Sequence, residues 1–129
     1  MSFPINLSDI EIAWIAGLLE GEGSFSFDNR GKSRYNVSTA PAAPTLQISM
    51  VDEDVIQRLA KLLNKNYSEV TRRTKTGKTV YKLNVGDRET LMYLFPRLLP
   101  HFGKRRKETV QKAIDLLNEW KKWKAEGSH

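Results

Sequence analysis

The hydrophobic pattern breaks the chain into short amphipathic pieces. Ser8-Asp9-Ile10-Glu11, a serine with glutamate three positions on, is a helix-starting capping box. The apolar run Ile12 to Leu19 continues that helix, and Gly21 and Gly23 are expected to end it. Ser24 to Asp28 and Thr45 to Met50 alternate polar and apolar, which predicts two half-buried strands, with Phe25, Phe27, Leu46 and Ile48 inward. Residues 29–44 between them, with Gly31, Pro41 and Pro44, read as a long exposed connection. Asp52-Glu53-Asp54 opens a second helix, Val55 to Leu63, with acids suited to its N-terminal dipole. Tyr67 to Thr74 and Thr79 to Val85 form a hairpin around Lys75-Thr76-Gly77-Lys78. Asp87 caps a third helix, Arg88 to Leu98, which Pro100 and Gly103 break. A last helix runs from about Arg105 to Lys124, with Val110, Ile114, Leu117 and Trp120 at helical spacing. The order α-β-β-α-β-β-α-α predicts an α+β fold: a four-stranded antiparallel sheet covered by helices on one face. Residues 1–126 make one domain, and 127–129 read as a short tail.

Composition narrows the chemistry. The 129 residues contain no cysteine, which removes disulfides, thiolate metal sites and thiol nucleophiles. With two histidines, His101 and His129, a histidine-based zinc site is disfavoured, and a Ser-His-Asp hydrolase would rest on His101 alone. No apolar run reaches the roughly 20 residues of a membrane span, and nothing at the N-terminus reads as a signal peptide, so a membrane or secreted role is not expected. Net charge is +6. The first 23 residues hold Asp9, Glu11, Glu20 and Glu22 and no Lys or Arg, so the remainder is more basic than the total suggests. Such a balance favours a polyanionic partner.

The uncovered sheet face is expected to carry Ser24, Ser26, Asp28, Gln47, Ser49, Lys82 and Asn84, with Thr71 and Arg73 on the same side by one count of the third strand. Such a face suits β-ribbon reading of a DNA major groove, where Arg pairs with guanine and Gln or Asn with adenine. Arg30, Lys32 and Arg34 in the 29–44 connection extend that reach, and Lys75 and Lys78 at the hairpin tip suit phosphate. Trp14, Trp120 and Trp123 read as helix-packing residues.

Ile15-Ala16-Gly17-Leu18-Leu19-Glu20-Gly21-Glu22-Gly23 resembles the nine-residue signature of the LAGLIDADG homing endonucleases. Ala16, Gly17, Leu18 and Gly23 are identical to it; Ile15, Leu19, Glu20 and Glu22 are conservative; Gly21 stands where alanine or glycine is usual. The segment ends a capped helix and leads into a strand, which also excludes a dinucleotide-binding fingerprint, since that follows a strand. The resemblance covers about residues 8–118. Ala13, Gly17 and Gly21 recur every four residues as a small-residue stripe along which a second helix could approach closely.

The resemblance implies a homodimer, because single-copy members pair their signature helices about a two-fold axis. It implies a site-specific endonuclease making metal-dependent double-strand cuts, with 3′ overhangs, in a long pseudo-palindromic double-stranded DNA. It implies Glu22 as catalytic metal ligand and Gly21 as a backbone-carbonyl ligand for Mg²⁺ or Mn²⁺, with Glu20 structural. The family's basic active-site residue falls in Lys104-Arg105-Arg106-Lys107, where counting from Pro100 selects Arg105, then Lys104. The polar residue the family carries after its second strand is Met50 here, so another group such as Ser49 would have to act. The alternative within the family is a non-cleaving binder: a maturase acting on intron RNA, or a DNA-binding regulator. An intein is disfavoured, for the splicing cysteine is absent. The expected location is cytoplasmic, in a bacterium, phage-infected cell or organelle matrix.

Overall fold

The computed structural model describes residues 5–28, 41–71 and 78–126. The elements are α1 (Asp9–Glu22), β1 (Gly23–Asp28), β2 (Ala43–Met50), α2 (Glu53–Leu63), β3 (Ser68–Thr71), β4 (Thr79–Val85), α3 (Arg88–Leu98), a 3₁₀ turn (Leu99–His101) and α4 (Lys104–Ala125). The predicted order stands. The sheet is antiparallel throughout, in the order β1-β2-β4-β3.

Both halves of the predicted capping box are present: Glu11 N–H donates to Ser8 Oγ (3.1 Å) and Ser8 N–H to Glu11 Oε1 (2.8 Å). Leu7 N–H donates to the Tyr93 hydroxyl (2.9 Å), tying the entry of α1 to α3. Gly21 does not end α1; the helix continues to Glu22, and Gly23 caps it by donating its N–H to Leu19 O. Gly23 is required there, since a Cβ would lie 2.7 Å from the Leu19 carbonyl oxygen.

One core lies between the sheet and the helices. Leu46, Ile48, Leu83 and Val85 face Ile15 and Leu19 of α1, Ile56, Leu59 and Leu63 of α2, Leu91, Leu94 and Phe95 of α3, and Val110, Ala113 and Leu117 of α4. Fully burying each such Val, Leu, Ile or Phe side chain contributes about 1.5–3 kcal/mol. Phe25 meets Phe95 and Phe102 edge-on, with ring centroids 5.6 and 6.1 Å apart.

The third strand departs from expectation. Ser68 pairs with Lys82, and Val70 with Val80, so Ser68 and Val70 share the open face with Lys82 and Asn84. The strand ends at Thr71, which pairs with Thr79. A short edge strand with apolar and polar residues at both parities carries little periodic signal, so its partner decides its face. Arg73 and the rest of the expected strand beyond Thr71 lie outside the described residues, as do Arg30, Lys32, Arg34 and Lys75.

Candidate active site and sheet face

The helix-to-strand joint at Glu22 and Gly23 brings three elements together. α1 delivers Glu20, Gly21 and Glu22, all exposed. β2 runs antiparallel to β1 with Ile48 opposite Gly23, so Ser49 and Met50 continue past the start of β1 toward this end of the sheet. α4 begins beside it at Lys104. A cleft of about 540 Å³ is lined by Glu20, Gly23, Ser24, Lys104, Arg105 and Thr109, among others.

The two signature acids do different things. Glu20 is bound: Gly103 N–H donates to its Oε1 (2.6 Å) and Arg106 Nε lies 3.4 Å from its Oε2. Its backbone carbonyl also accepts from Arg106, at 3.0 Å. Glu22 makes no hydrogen bond or ion pair with any described residue, so its carboxylate stays available in solvent.

The start of α4 runs against ordinary helix electrostatics. A helix N-terminus favours acids, yet its first turn has no acid, and Lys104-Arg105-Arg106-Lys107 stand there. Gly103, its N-cap, supplies no side chain to the open amides. Lys104 and Arg105 are exposed and line the cleft. Arg106 also lines the cleft but is half-buried: it turns under, donating to the Gly23 carbonyl (3.1 Å) as well as to Glu20, with its guanidinium 5.2 Å from the Phe25 ring centre.

Sequence reading passed over Arg106, although a signal existed. Arg106 lies four residues before Val110 and seven before Ala113, both buried, so it heads the buried stripe of α4 while Arg105 stands off it.

Met50 packs against the core beside Tyr81, its neighbour across the strands, so it cannot supply the polar group expected at that position. Ser49 faces the other way, opposite Lys82. Ser24, Gln47 and Asn84 form one rung across three strands of the open face, and Ser49, Lys82 and Ser68 another. The Ser26 and Thr45 hydroxyls are hydrogen-bonded to each other there. Lys78, just before β4, is exposed; Asp28 ends β1. The helix side is built differently. Arg58 covers Trp14 at 4.1 Å, and Arg88 and Lys124 lie 4.4 and 5.1 Å from Trp120, so these rings serve helix packing.

Ala13, Gly17 and Gly21 line one exposed side of α1, and Ile10, 80% exposed, begins the same side. A Cβ added at Gly17 or Gly21 would meet nothing within 4 Å. Nothing described within the chain requires either glycine.

The comparisons with known proteins agree with this geometry. The family model described as LAGLIDADG endonuclease matches residues 15–123, and the chain belongs to that family. No curated protein matches the sequence. Among solved structures, the homing endonuclease I-CvuI, in complex with its target in the presence of Ca, superposes with a TM-score of 0.58 at 12% identity, over 90% of this chain and 71% of that one. The group I intron-encoded homing endonuclease I-CeuI, complexed with DNA, gives 0.62 at 13% identity, over 97% of this chain and 62% of that one. The LAGLIDADG homing endonuclease I-LtrWI, bound to target DNA, gives 0.55 at 19% identity, over 92% of this chain but 40% of that one. At these identities the likeness is one of fold. Among the described residues no helix is long and apolar enough to cross a membrane.

Proposed function

We propose that the protein is a homodimeric homing endonuclease that makes divalent-metal-dependent double-strand cuts, leaving 3′ overhangs, in a long pseudo-palindromic DNA. The observation that carries this reading is Glu22: the last acid of a matched family signature, exposed and unpaired among the described residues, beside a helix start crowded with cations. The neighbouring acid, Glu20, takes Arg106, and Glu22 has no partner among the described residues.

Glu22 and the Gly21 carbonyl are hard oxygen donors suited to Mg²⁺ or Mn²⁺. One chain does not complete the set, since among the described residues no group of three or more acids or histidines could hold an ion. The fit therefore calls for the acid of a second copy and for DNA phosphate oxygens. A bound ion would polarise the scissile phosphate and lower the pKa of an attacking water. Divalent ions in the solved neighbours' DNA complexes support this choice.

The chain's own groups divide the remaining work. Arg105 and Lys104 would stabilise charge on phosphate oxygens. Ser49, rather than the core-packed Met50, would orient water. The rungs Ser24–Gln47–Asn84 and Ser49–Lys82 on the open face would read base edges, Gln47 and Asn84 suiting adenine. Ser26 and Asp28 would contribute at the edge of that face, and Lys78 would touch phosphate. The glycine side of α1 would meet its symmetry mate, so that one sheet from each copy covers one half-site. That this chain spans 40% of I-LtrWI supports a unit used twice.

The test selects DNA from a random pool by binding in Ca²⁺, then adds Mg²⁺ beside a Glu22→Gln control. Discrete cuts with 3′ overhangs, absent from the control, are expected. Specific binding without cutting would assign the protein to the non-cleaving DNA binders. No DNA enrichment would move the partner to RNA.

A further inference from the structure

We propose that Arg106 is a positioning residue: with Glu20 it locks the end of α1 to the start of α4, so that Glu22 and Gly21 on one helix and Lys104 and Arg105 on the other move as one unit. The inference rests on the nuclease reading above for its consequence, but the lock itself is a property of the free protein.

The geometry is specific to a guanidinium. Arg106 reaches the Glu20 carbonyl at 3.0 Å, the Gly23 carbonyl at 3.1 Å and the Glu20 carboxylate at 3.4 Å, three acceptors served by one planar fork. A lysine is a point donor and cannot span the same set. The fork has a floor, the Phe25 ring, which Phe95 and Phe102 hold edge-on. From the other side Gly103 N–H closes on Glu20 Oε1 at 2.6 Å, and a Cβ at Gly103 would lie 3.0 Å from that same oxygen.

The last carbonyls of α1 need partners that the helix itself cannot supply. Leu19 O takes Gly23 N–H, and Glu20 O takes Arg106. None of these donors goes to the Gly21 carbonyl or the Glu22 carboxylate. The arrangement thus satisfies the groups around the ligand atoms without using those atoms as partners. The Arg106 and Glu20 side chains are 25% and 41% exposed, and ion pairs at such exposure add little to stability. Their contacts therefore bear on placement more than on folding.

The experiment compares Arg106→Met with Lys107→Met, which removes the same charge one residue on, and with Arg106→Lys. In the free protein, amide hydrogen exchange at Gly21 to Ser24 is expected to rise about tenfold in Arg106→Met, with the core amides of α3 unchanged. On DNA selected in Ca²⁺, Arg106→Met should bind within about threefold of wild type by the affinity scale. Its Ca²⁺ affinity in the complex, by titration calorimetry, should fall, and single-turnover cleavage in Mg²⁺ should slow at least about tenfold, the size expected of a small misplacement. Lys107→Met should match wild type, and Arg106→Lys should recover part of the loss. Unchanged exchange at Gly21 to Ser24 would overturn the lock. Loosened exchange with wild-type Ca²⁺ affinity and cleavage would overturn its positioning role. A wild-type protein that never cuts would sink the nuclease reading, while the exchange data would still decide the lock.

Discussion

Gly17→Ala separates what one chain needs from what a pair needs. Glycine inside a helix costs about 0.8–1 kcal/mol relative to alanine, because its unfolded backbone has more freedom to lose. Gly17 lies well inside α1, and a Cβ there would meet nothing within 4 Å. For the isolated chain the substitution should therefore stabilise by about 0.8–1 kcal/mol, a rise of roughly 3–5 °C in Tm for a domain this size. A dimer built on this side of α1 reverses the sign. The substitution brings two methyls to the two-fold axis, one from each copy, where small residues let two backbones come closer than the usual 8–10 Å between helix axes. Association should weaken at least about tenfold, or 1.4 kcal/mol. Sedimentation equilibrium across a wide concentration range, run beside thermal unfolding at low concentration, reads both effects. Higher thermal stability with unchanged or tighter association would refute the glycine contact. So would a wild-type chain that stays monomeric even on its DNA.

Two further outcomes test the fold around the site. Gly23→Ala forces a Cβ to 2.7 Å from the Leu19 carbonyl oxygen, a backbone atom that cannot rotate away, so a loss of about 1–3 kcal/mol is expected in urea unfolding. Burial alone would raise the Asp87 carboxyl, but hydrogen bonds from Lys65 and Thr90 and the Lys65 charge outweigh it and hold the pKa below the ordinary value. A depressed folded pKa means stability present above the unfolded value, near pH 4, and lost as pH falls through the folded one. Asp87→Asn keeps a helix-capping side chain but not the charge, so it should lower stability near neutrality, flatten the stability curve as pH falls below about 5, and converge with wild type in acid.

Much of the fold was legible because its signals are local. The capping box at Ser8, the alternation of β1 and β2 and the Asp87 cap each act over three or four residues, and each appears where expected. The signature's two acids were legible as a pair. The resemblance already implied a structural Glu20 and a ligand Glu22, but the contacts that hold Glu20 were not legible, because they come from Arg106 and Gly103, some 83 residues or more away along the chain. The side taken by Ser68 and Val70 was hard to read for a similar reason: strand parity at an edge is settled by pairing with Lys82 and Val80 across the sheet, not by its own short pattern.

Amino-acid order alone established the element sequence, the basic character and the signature, since helix caps, period-2 alternation and a nine-residue motif need no distant partner. Tertiary structure decided which groups hold Glu20, which cation in the 104–107 run turns inward, and that nothing described within the chain fills the space over Gly17 and Gly21. Those outcomes depend on which surfaces the packed core brings within a few ångströms of each other. Hydrogen bonds and close contacts fall away within that range, so their partners become known once the helices have docked on the sheet.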